Sequence, residues 1–309
     1  MATTLEALNA NDGDCLLLHH GSTLILIDGG STGVYRDTLK PRLEQLRGAG
    51  RLDLRLAMVT HIDADHITGV QDLLEDVLEN DAPYRIATLW HNSFERMREV
   101  PKYAASVRQG NAVRNAAVQL AIPVERVLAP GRAEIVKGLT FTILGPRAAE
   151  LEKLDRSWKL PAAQAADYLN RTVPNLSSIV VLVEAGKRRI LLTGDAGGDL
   201  ILRSLEEAKL LPLHVDVLKL PHHGSNHSID RTFLERVTAD HYVISGNGKH
   251  GNPHPDTLGW LAEARRGASG DVYFTNAPDA VPAGSSLRWH SRKAKERSIS
   301  VKLGSAPAG

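Results

Sequence analysis

The sequence predicts a layered α/β fold in which helices lie outside a core of two β-sheets. Short apolar runs that read as strands alternate with longer segments that keep the helical period of 3.6 residues. Acids and histidines recur directly after the apolar runs, as expected where strand-ending loops gather on one rim. We find no internal repeat, low-complexity segment or long linker within the 309 residues. A single domain over 1–309 is therefore expected.

The N-terminal part of the chain reads as strands and helices in alternation. The predicted elements are strands at 16–18 and 24–27, a helix at 36–47, a strand at 54–59 and a helix at 68–78. The second strand ends at the sharp break Asp28-Gly29-Gly30. The second helix follows from the spacing of its apolar residues, Val70, Leu73, Leu74, Val77 and Leu78.

The same alternation continues downstream. The predicted elements are a strand at 86–90, helix over most of 94–121, a strand at 139–144, a helix and loop within 147–173, a hairpin of 179–183 with 190–192, a helix at 198–209, and strands at 215–218, 242–244 and 272–275. The last of these strands is expected to close the set. Within this half we predict a largely helical, basic insert at about 85–172.

Composition and charge exclude several classes of protein. The chain is 42% hydrophobic and 24% charged, which is ordinary for a globular protein. The single cysteine, Cys15, excludes an internal disulfide framework and a cysteine-based metal site, and its apolar neighbours predict a buried structural thiol. The start of the sequence lacks the pattern of a signal peptide, and no apolar run approaches the ~18 residues of a membrane span. We therefore expect a cytoplasmic protein with no membrane partner. The sequence does not predict its oligomeric state.

Charge is distributed unevenly although the net charge is only +1. The segment 85–126 has seven basic residues against three acidic ones, and 288–302 has six against one. Two interpretations stay open, because such runs form either solvated surfaces or contacts to an anionic substrate. The near-neutral total argues against long, groove-tracking contact with duplex DNA.

The stretch THIDADH, residues 60–66, gathers four metal-ligand side chains in six positions: His61, Asp63, Asp65 and His66. In an extended segment that enters a turn, these side chains can surround two ions. Imidazole and carboxylate suit Zn²⁺, Mn²⁺ or iron. Alternatively the stretch is a solvated loop, or Asp65 or Thr68 caps the following helix.

Two further loops follow predicted strands. The sequence SGNGKHGNPHPD carries Lys249 and His250 and is either a surface turn or a loop that contacts substrate phosphate. Trp90-His91-Asn92 either lines the rim or, as we prefer, places a packed tryptophan in the core.

Together these motifs resemble those of the metallo-β-lactamase fold superfamily. They are Asp28 after the second strand, the pattern H-x-D-x-D-H at 61–66, Asp195 in LLTGD and His222 in LKLPHHGS. The resemblance covers roughly residues 5–280. It implies an αββα sandwich of two mixed β-sheets with outer helices and a metal site on one rim.

Within the superfamily, the sequence most strongly resembles the C-terminal nuclease-like domain of ComEC and its stand-alone relatives. The stretches that carry this resemblance are NDGDCLLLHHGSTLILIDGG, NLSSIVVLVEAGKRRILLTGD and LKLPHHGS, together with Asp63 where other branches have histidine. The chain departs from ComEC in lacking membrane spans and in the larger insert at 85–172.

The resemblance implies a role for each site residue. His61 and Asp63 would hold a first metal ion, Asp65, His66 and His222 a second, and Asp195 would bridge both. Asp28 would fix a histidine tautomer. The superfamily usually supplies another histidine to the first ion from the segment before the bridging aspartate, where this chain has Asn175, Ser177 and Ser178; we expect Asn175 and Ser178 to support the ligands from behind.

The catalytic and substrate-contacting residues are predicted on the same basis. Asp65 and His223 are the predicted catalytic residues. Lys249, His250 and Ser225 are predicted to contact substrate, although Ser225 is equally suited to cap a helix. Sequence does not decide which of His222 and His223 faces the metal, and we prefer His222.

These inferences predict a metal-dependent hydrolase with two divalent ions, zinc or manganese, with magnesium possible as well. The carboxylate of Asp63 favours harder ions than an imidazole would, and two ions suit phosphodiester cleavage. The leading prediction is therefore a phosphodiesterase or nuclease that acts on nucleic acid or a nucleotide. The alternatives are a hydrolase of acyl bonds, such as a lactone, thioester or β-lactam, and a metal-binding sensor or partner module without catalysis.

Overall fold

The computed structural model describes residues 1–92, 104–157 and 173–304. The predicted helix over 94–121 and the polar stretch 147–173 therefore fall partly outside the described residues. Arg96 and Arg98, which contribute to the basic character of the 85–126 segment, lie outside them as well.

The first of two large sheets contains seven strands. In spatial order they are β17 (Ser298–Leu303), β1 (Thr3–Leu8), β2 (Leu16–His20), β3 (Thr23–Ile27), β5 (Leu56–Val59), β7 (Leu89–His91) and β8 (Val124–Glu125). The strands from β17 to β3 are antiparallel, and those from β3 to β8 are parallel. The sheet is therefore mixed.

The second large sheet contains eight strands. In spatial order they are β16 (Leu287–Ser291), β15 (Gly270–Phe274), β14 (Val237–Ile244), β13 (Leu213–Lys219), β12 (Arg188–Leu192), β11 (Val180–Ala185), β10 (Leu139–Gly145) and β9 (Gly131–Val136). The strands from β9 to β12 are antiparallel, and those from β12 to β16 are parallel. A separate parallel pair joins β4 (Leu52–Leu54) to β6 (Tyr84–Ile86).

The described helices surround these sheets. They are α1 (Lys40–Arg47), α2 (Ala64–Asn80), α3 (Ala104–Gln119), α4 (Ala148–Ser157), α5 (Gly198–Glu207), α6 (Arg231–Arg236) and α7 (Pro255–Ala264). A π-helical turn at Tyr35–Leu39 precedes α1, and short 3₁₀ helices occupy Val173–Ser177 and Pro221–Gly224. The helix predicted at 36–47 is thus a π-helical turn followed by α1.

The two sheets pack face to face, and the helices cover their outer faces. Alternate residues of one strand face opposite ways, so Met58 of β5 lies in the core between the sheets, whereas Val59 faces the helices. The core between the sheets also holds Trp90, whose ring meets that of Phe141 edge-on at 5.8 Å. α1, α2 and α3 pack on the first sheet, and α5, α6 and α7 pack on the second. This αββα arrangement confirms the predicted fold class.

Three predictions about the elements are corrected. The set of strands does not close near residue 275, because β16 and β17 follow, and β17 adds to the first sheet beside β1. The segment 85–172 is not a largely helical insert in its described part, since it supplies β7 and β8 to one sheet and β9 and β10 to the other. α2 begins at Ala64, four residues earlier than predicted, so the 60–66 stretch runs into its first turn.

Trp90 is packed, as preferred, and its indole N–H donates to Glu125 at 2.9 Å. Cys15 is buried as well. Within the described ranges, no helix has the length and apolar character needed to cross a membrane.

Candidate metal centre

The predicted ligands meet on one rim because parallel strands end there. In the first sheet β3 and β5 run parallel, and Asp28 and His61 follow their last residues closely. In the second sheet β12 and β13 run parallel, and Asp195 and the pair His222-His223 follow them. Each sheet thus delivers an acid and a histidine to the seam where the two sheets face each other.

Four side chains at this rim form a compact group, in which one ligand atom of each lies within 4.8 Å of all the others. They are Asp65, His66, Asp195 and His223. His66 Nε2 lies 3.3 Å from Asp195 Oδ1, and His223 Nε2 lies 3.4 Å from Asp65 Oδ2. Ligand atoms around one tetrahedral ion are ~3.4 Å apart, given metal–ligand bonds of about 2.0–2.2 Å. The group therefore has the dimensions of a single divalent-ion site.

A second group also lies close to Asp195. His61 Nε2 is 4.0 Å from Asp195 Oδ2 and 3.6 Å from Asp63 Oδ2. His222 Nε2 is 3.6 Å from the same oxygen of Asp195. His223 Nε2, from the first group, is 3.5 Å from that oxygen as well, so Asp195 contacts both groups and its carboxylate can bridge two ions.

Asp28 orients two histidines from behind. Its carboxylate accepts hydrogen bonds from His66 Nδ1–H at 2.8 Å and from the Thr60 hydroxyl at 2.7 Å. Because the Thr60 hydroxyl donates to Asp28, its oxygen can accept from His61 Nδ1–H, 3.1 Å away. Both imidazoles are then protonated at Nδ1 and present the Nε2 lone pair to the site.

Two buried polar atoms favour metal binding at this rim. His61 Nε2 and Asp195 Oδ1 are buried and have no hydrogen-bond partner among the described residues. Buried polar atoms are rarely left unpaired, because losing water without a replacement costs about 1–3 kcal/mol. Metal ions held by the two groups would satisfy both atoms, so these residues fit the divalent ions implied by the resemblance.

Charges within the cluster shift its pKa values strongly. Burial alone would raise the pKa of Asp195, but His223 and His66 hold it well below its usual range. Burial alone would lower the pKa of His66, but Asp195, Asp65 and Asp28 raise it well above its usual range. In the absence of an ion, protons thus carry the positive charge that a metal would otherwise supply, and protons and metal compete for the site.

Sequence reasoning missed a buried ion pair beneath the cluster. Lys219 Nζ lies 2.6 Å from Asp14 Oδ2, and the two side chains are 1% and 2% exposed. Asp14 Oδ1 lies 3.5 Å from His223 Nδ1, so this carboxylate faces His223 much as Asp28 faces His66. The available signals were Asp14 in NDGDC and a lysine directly after the apolar pair Val217-Leu218 at the end of β13.

The loop that carries the paired histidines has an unusual backbone. His222 and His223 both adopt left-handed conformations, with φ of 47° and 55°. Such a conformation costs on the order of 1–3 kcal/mol at a residue with a side chain. The loop is tied down by the His222 N–H, which donates to the Gly194 carbonyl at 3.1 Å, next to Asp195.

Close backbone contact places α2 against Asp28. A Cβ atom on Gly69 would lie 2.0 Å from the Gly29 carbonyl oxygen, and one on Gly29 would lie 2.3 Å from the Val70 nitrogen. Only glycine permits this approach. The Gly29 N–H donates to the His66 carbonyl at 2.7 Å, which brings the first turn of α2 to the rim.

The structure reverses the preference between the paired histidines. His223, rather than His222, stands in the group with Asp65 and His66. The left-handed turn decides the direction of each ring, and a sequence pattern does not reveal that turn. His223, predicted as catalytic, thus has its Nε2 3.3 Å from His66 Nε2, in the position of a ligand.

The predicted supporting residues lie close behind the ligands. Ser178 Oγ accepts from the Asp195 backbone N–H at 3.2 Å, and Asn175 Nδ2 lies 3.2 Å from His222 Nδ1. Ser225, by contrast, does not reach the site. It is buried, and its hydroxyl accepts from the His227 backbone N–H at 3.3 Å, so its role is that of a turn cap.

A small cavity of about 70 Å³ opens over the cluster. Asp65, His222 and His223 form one wall, and the loop 246–252 forms the other. Lys249 and His250 line this cavity and a neighbouring groove of about 580 Å³. In both, the loop is joined to Asp12, whose Oδ2 lies 2.6 Å from Lys249 Nζ and 3.3 Å from His250 Nε2.

Comparisons with known proteins found a family model, solved structures and a curated relative that are similar to this chain. Residues 8–77 match the model of the metallo-beta-lactamase superfamily. The metallo-beta-lactamase fold protein YhfI of Bacillus subtilis is 12% identical, with 98% of this chain and 100% of that chain covered and a TM-score of 0.49. Igni18, a metallo hydrolase of Ignicoccus hospitalis, is 13% identical, with 97% and 100% covered and a TM-score of 0.48. Neither overlay bears on substrate.

A curated relative is ComE operon protein 3 of Bacillus subtilis (strain 168), which is 26% identical over 271 residues. The alignment covers 82% of this chain but only 30% of that protein, so the chain spans less than a third of its length. The predicted resemblance is thereby confirmed. Residues 8–77 of this chain carry the sequence pattern of the metallo-beta-lactamase superfamily, and the two sheets with their outer helices form the αββα sandwich that the resemblance implied.

Proposed function

We propose that this protein is a metal-dependent phosphodiesterase that acts on nucleic acid or a nucleotide. One observation carries the proposal: the cluster of histidines and aspartates opens into a cavity whose opposite wall carries Lys249 and His250. A site with ions on one side and an exposed ammonium group on the other suits an anionic group between them.

The ligand residues support hydrolysis. Asp65, His66, Asp195 and His223 would hold one divalent ion, and His61, Asp63 and Asp195 would contribute to another. Such ions supply Lewis acidity and lower the pKa of a water molecule. Asp28 and Thr60 keep the Nε2 atoms of His61 and His66 directed inward, so the ligands need little rearrangement when substrate enters.

The cationic wall is held in place before substrate binds. Asp12 pairs with Lys249 at 2.6 Å and positions the ammonium group beside the cavity. A phosphate oxygen would compete with Asp12 for this ammonium group. Gly246 and Gly248 have positive φ, which glycine adopts without strain, and leave room for a substrate to approach the loop backbone.

A second basic surface continues along the same rim. The turn between β16 and β17 exposes Lys293, Lys295 and Arg297. This turn is attached to the rim because the Asn9 N–H donates to the Arg297 carbonyl at 2.8 Å, and Asn9 precedes the loop that holds Asp12. The surface favours a substrate that extends beyond one phosphate, such as a single-stranded nucleic acid.

An activity screen tests the proposal. Purified protein is supplied with Mn²⁺, Mg²⁺ or Zn²⁺ and offered a generic phosphodiester, single-stranded DNA, RNA, a thioester and a lactone. We expect turnover of at least one phosphodiester. Turnover of the thioester or lactone, with none on any phosphodiester, would replace the proposal with acyl hydrolysis. The screen does not test the cytoplasmic location, which stays a prediction.

Lys249 provides a sharper test of substrate charge. Lys249→Met should raise KM for a phosphodiester about tenfold, the equivalent of one charge-assisted hydrogen bond, and change kcat less. Lys187→Met is the matched control, because Lys187 is also exposed. It lies in the β11–β12 turn, just before β12, whereas Asp195 of the site follows the end of that strand. Equal KM values for the two variants would remove Lys249 from the binding site.

Asp63 tests the choice of metal. Asp63→His replaces a hard oxygen ligand with an imidazole, so the metal that gives the highest activity should move from Mn²⁺ towards Zn²⁺. The measurement is initial rate against free metal concentration for parent and variant. An unchanged order of metals would show that Asp63 does not set the preference.

A further inference from the structure

A groove beside the candidate metal centre has a volume of about 580 Å³, whereas the cavity over the cluster has only about 70 Å³. Sites for small organic ligands measure ~300–1,000 Å³, so the cavity has room for the reacting group of a substrate and the groove for a further part of it. We propose that the groove binds the sugar and phosphate of a second nucleotide unit, joined to the phosphate that reacts at the cluster. This inference rests on the proposed function, because it assumes a phosphodiester substrate.

The groove is continuous with the candidate metal centre. Asp65, one of the ligands, lines both the cavity and the groove, and so do Lys249 and His250. A substrate with its reacting phosphate at the cluster therefore meets these two exposed basic side chains where it enters the groove. A negatively charged link between two nucleotide units is favoured at this junction.

Three neutral polar side chains line the groove but not the cavity: Asn11, Ser31 and Thr32. The Ser31 hydroxyl is near the Asp12 carboxylate and lies 3.4 Å from the Ala10 carbonyl oxygen. The side chains of Asn11 and Thr32 have no hydrogen-bond partner among the described residues. Because hydroxyl and amide side chains supply many of the contacts that proteins make to phosphate and sugar, these groups suit a sugar–phosphate unit.

The groove lacks the groups that bind a nucleic-acid base. Sites that hold unpaired bases stack them on aromatic side chains, and His250 has the only ring that lines the groove among the described residues. The other lining groups are polar apart from Ala64. The second nucleotide unit is therefore held by its backbone, with its base directed to solvent.

The carboxylates of the groove are already engaged. Asp12 Oδ2 lies 2.6 Å from Lys249 Nζ and 3.3 Å from His250 Nε2. Asp65 Oδ2 lies 3.4 Å from His223 Nε2, within the metal-binding group. Because nearby positive groups balance these charges, the carboxylates oppose an entering anion less than free ones would.

The loop that carries Ser31 and Thr32 is held against α2. The Gly30 carbonyl accepts from the Gly69 N–H at 3.2 Å, and the Val34 N–H donates to the Ser31 carbonyl at 3.1 Å. Gly30 has a φ of 76°, and a Cβ atom on it would lie 2.7 Å from Val34 Cγ1, so the turn requires glycine. The backbone at Thr32 is thus fixed before a ligand binds, which reduces the entropic cost of binding.

Calorimetry tests the groove without turnover. Protein supplied with saturating Mn²⁺ is titrated with a nucleoside 3′,5′-bisphosphate and with the corresponding 3′- and 5′-monophosphates. We expect the bisphosphate to bind roughly tenfold more tightly than either monophosphate, because its second phosphate reaches hydrogen-bonding groups in the groove. Equal affinities in the parent would overturn the proposal.

Two substitutions assign this gain to the groove. Thr32→Val removes an exposed hydroxyl, and Asn11→Gly removes an amide at a residue whose φ of 59° glycine adopts without strain. Each should lower the advantage of the bisphosphate about threefold, the equivalent of one neutral hydrogen bond, and the double variant should lose most of it. A full advantage in the double variant would also overturn the proposal.

Thr23→Val is the matched control, because Thr23 begins β3 and Asp28, next to the groove loop, follows the other end of that strand. It should bind both ligands as the parent does.

The identity of the base separates backbone binding from base recognition. Adenosine and cytidine bisphosphates should bind alike, and a preference of more than roughly tenfold for one of them would overturn the assignment to sugar and phosphate. The activity screen judges the proposed function on its own. A parent that hydrolyses phosphodiesters but gains nothing from the second phosphate of the bisphosphate would keep that function and lose the groove site.

Discussion

Two aspartates in this protein are each surrounded by histidines, yet their environments differ. Asp195 lies within 4.0 Å of Nε2 atoms of four histidines, and no lysine or arginine pairs with it in the described ranges. Asp271, near the start of β15, receives His290 Nε2 at 2.7 Å and the Arg288 guanidinium at 2.7 and 2.6 Å. Both carboxylates are almost entirely buried.

The permanent charge of Arg288 accounts for the difference. A guanidinium fork satisfies both oxygens of Asp271 at every physiological pH, so the carboxylate has no capacity left for an ion. Around Asp195 the positive charge comes from His66 and His223, whose pKa values the neighbouring carboxylates raise, and these imidazoles can exchange protons for metal. A histidine–aspartate cluster thus becomes a candidate metal site only where no fixed cation closes it.

The largest expected effect is at Asp195. Asp195→Asn removes the carboxylate that contacts both groups of ligands, so bound metal should fall from two equivalents to one or none. Loss of several kcal/mol of charge stabilisation should lower kcat/KM by on the order of 10³-fold or more. The check is metal content together with initial rates. Full metal content in this variant would contradict the assignment.

The next largest effect is expected on the stability of the fold, at the buried pair of Asp14 and Lys219. Asp14→Asn leaves the Lys219 ammonium buried and unpaired, which should lower the free energy of unfolding by about 3–5 kcal/mol. Urea unfolding measures the change. The double variant Asp14→Asn with Lys219→Met, which has no unpaired charge, should recover much of the loss, and a cost below about 1 kcal/mol for Asp14→Asn would refute the buried-pair argument.

A smaller effect is expected at Asp271, with a defined pH dependence. Hydrogen bonds from Arg288, followed by those from His290, outweigh burial and lower the pKa of Asp271 to about 2. Because the folded-state pKa lies below the ordinary value, the stabilisation is fully present above that ordinary value and is lost as pH falls towards 2. Asp271→Asn should cost about 1–2 kcal/mol at pH 7 and progressively less between pH 4 and 2.

Measured by urea unfolding over this pH range, the parent and Asp271→Asn curves should converge at acid pH, and metal content should be that of the parent. A gap that widens on acidification would reverse the sign and exclude the proposed cause.

The smallest effect is expected at His290. Arg288 continues to hold Asp271 when the imidazole is removed, so His290→Ala should cost only about 0.5–1 kcal/mol and leave bound metal unchanged. Thermal unfolding and metal analysis provide the test. If His290→Ala costs as much as Asp271→Asn, the guanidinium is not the group that satisfies this carboxylate.

Sequence revealed the parts of the site that depend on local pattern. An apolar run followed by an acid or histidine located Asp28, His61 and Asp195, because the strand and the loop after it are adjacent in the chain. It did not reveal that Asp14 and Lys219 pair, since these residues are 205 positions apart and only the packing of the two sheets joins them. Nor did it reveal the left-handed turn at His222 and His223, whose backbone bonds to Gly194, a residue of another loop.

The fold also has features that local sequence predicts and others that only long-range packing decides. Strand order within each hairpin follows from short connections, but the position of β17 beside β1 does not. That pairing brings residues from opposite ends of the numbering together, and its strand has only a short alternating pattern, which a sequence scan reads as surface. The described part of 85–172 was misjudged for a similar reason, because only one residue of its edge strand β9 is buried.

The pairing of β1 with β17 has a consequence for how the molecule is made. Thr3 lies opposite Leu303, and Leu8 lies opposite Ser298, so β1 is a central strand only once the last strand has been synthesised. During synthesis one side of β1 is an open edge with unpaired N–H and C=O groups, to which another chain can add. Contacts of such wide sequence separation also form slowly, because a long loop must close first. The first sheet to emerge is therefore the last to be completed.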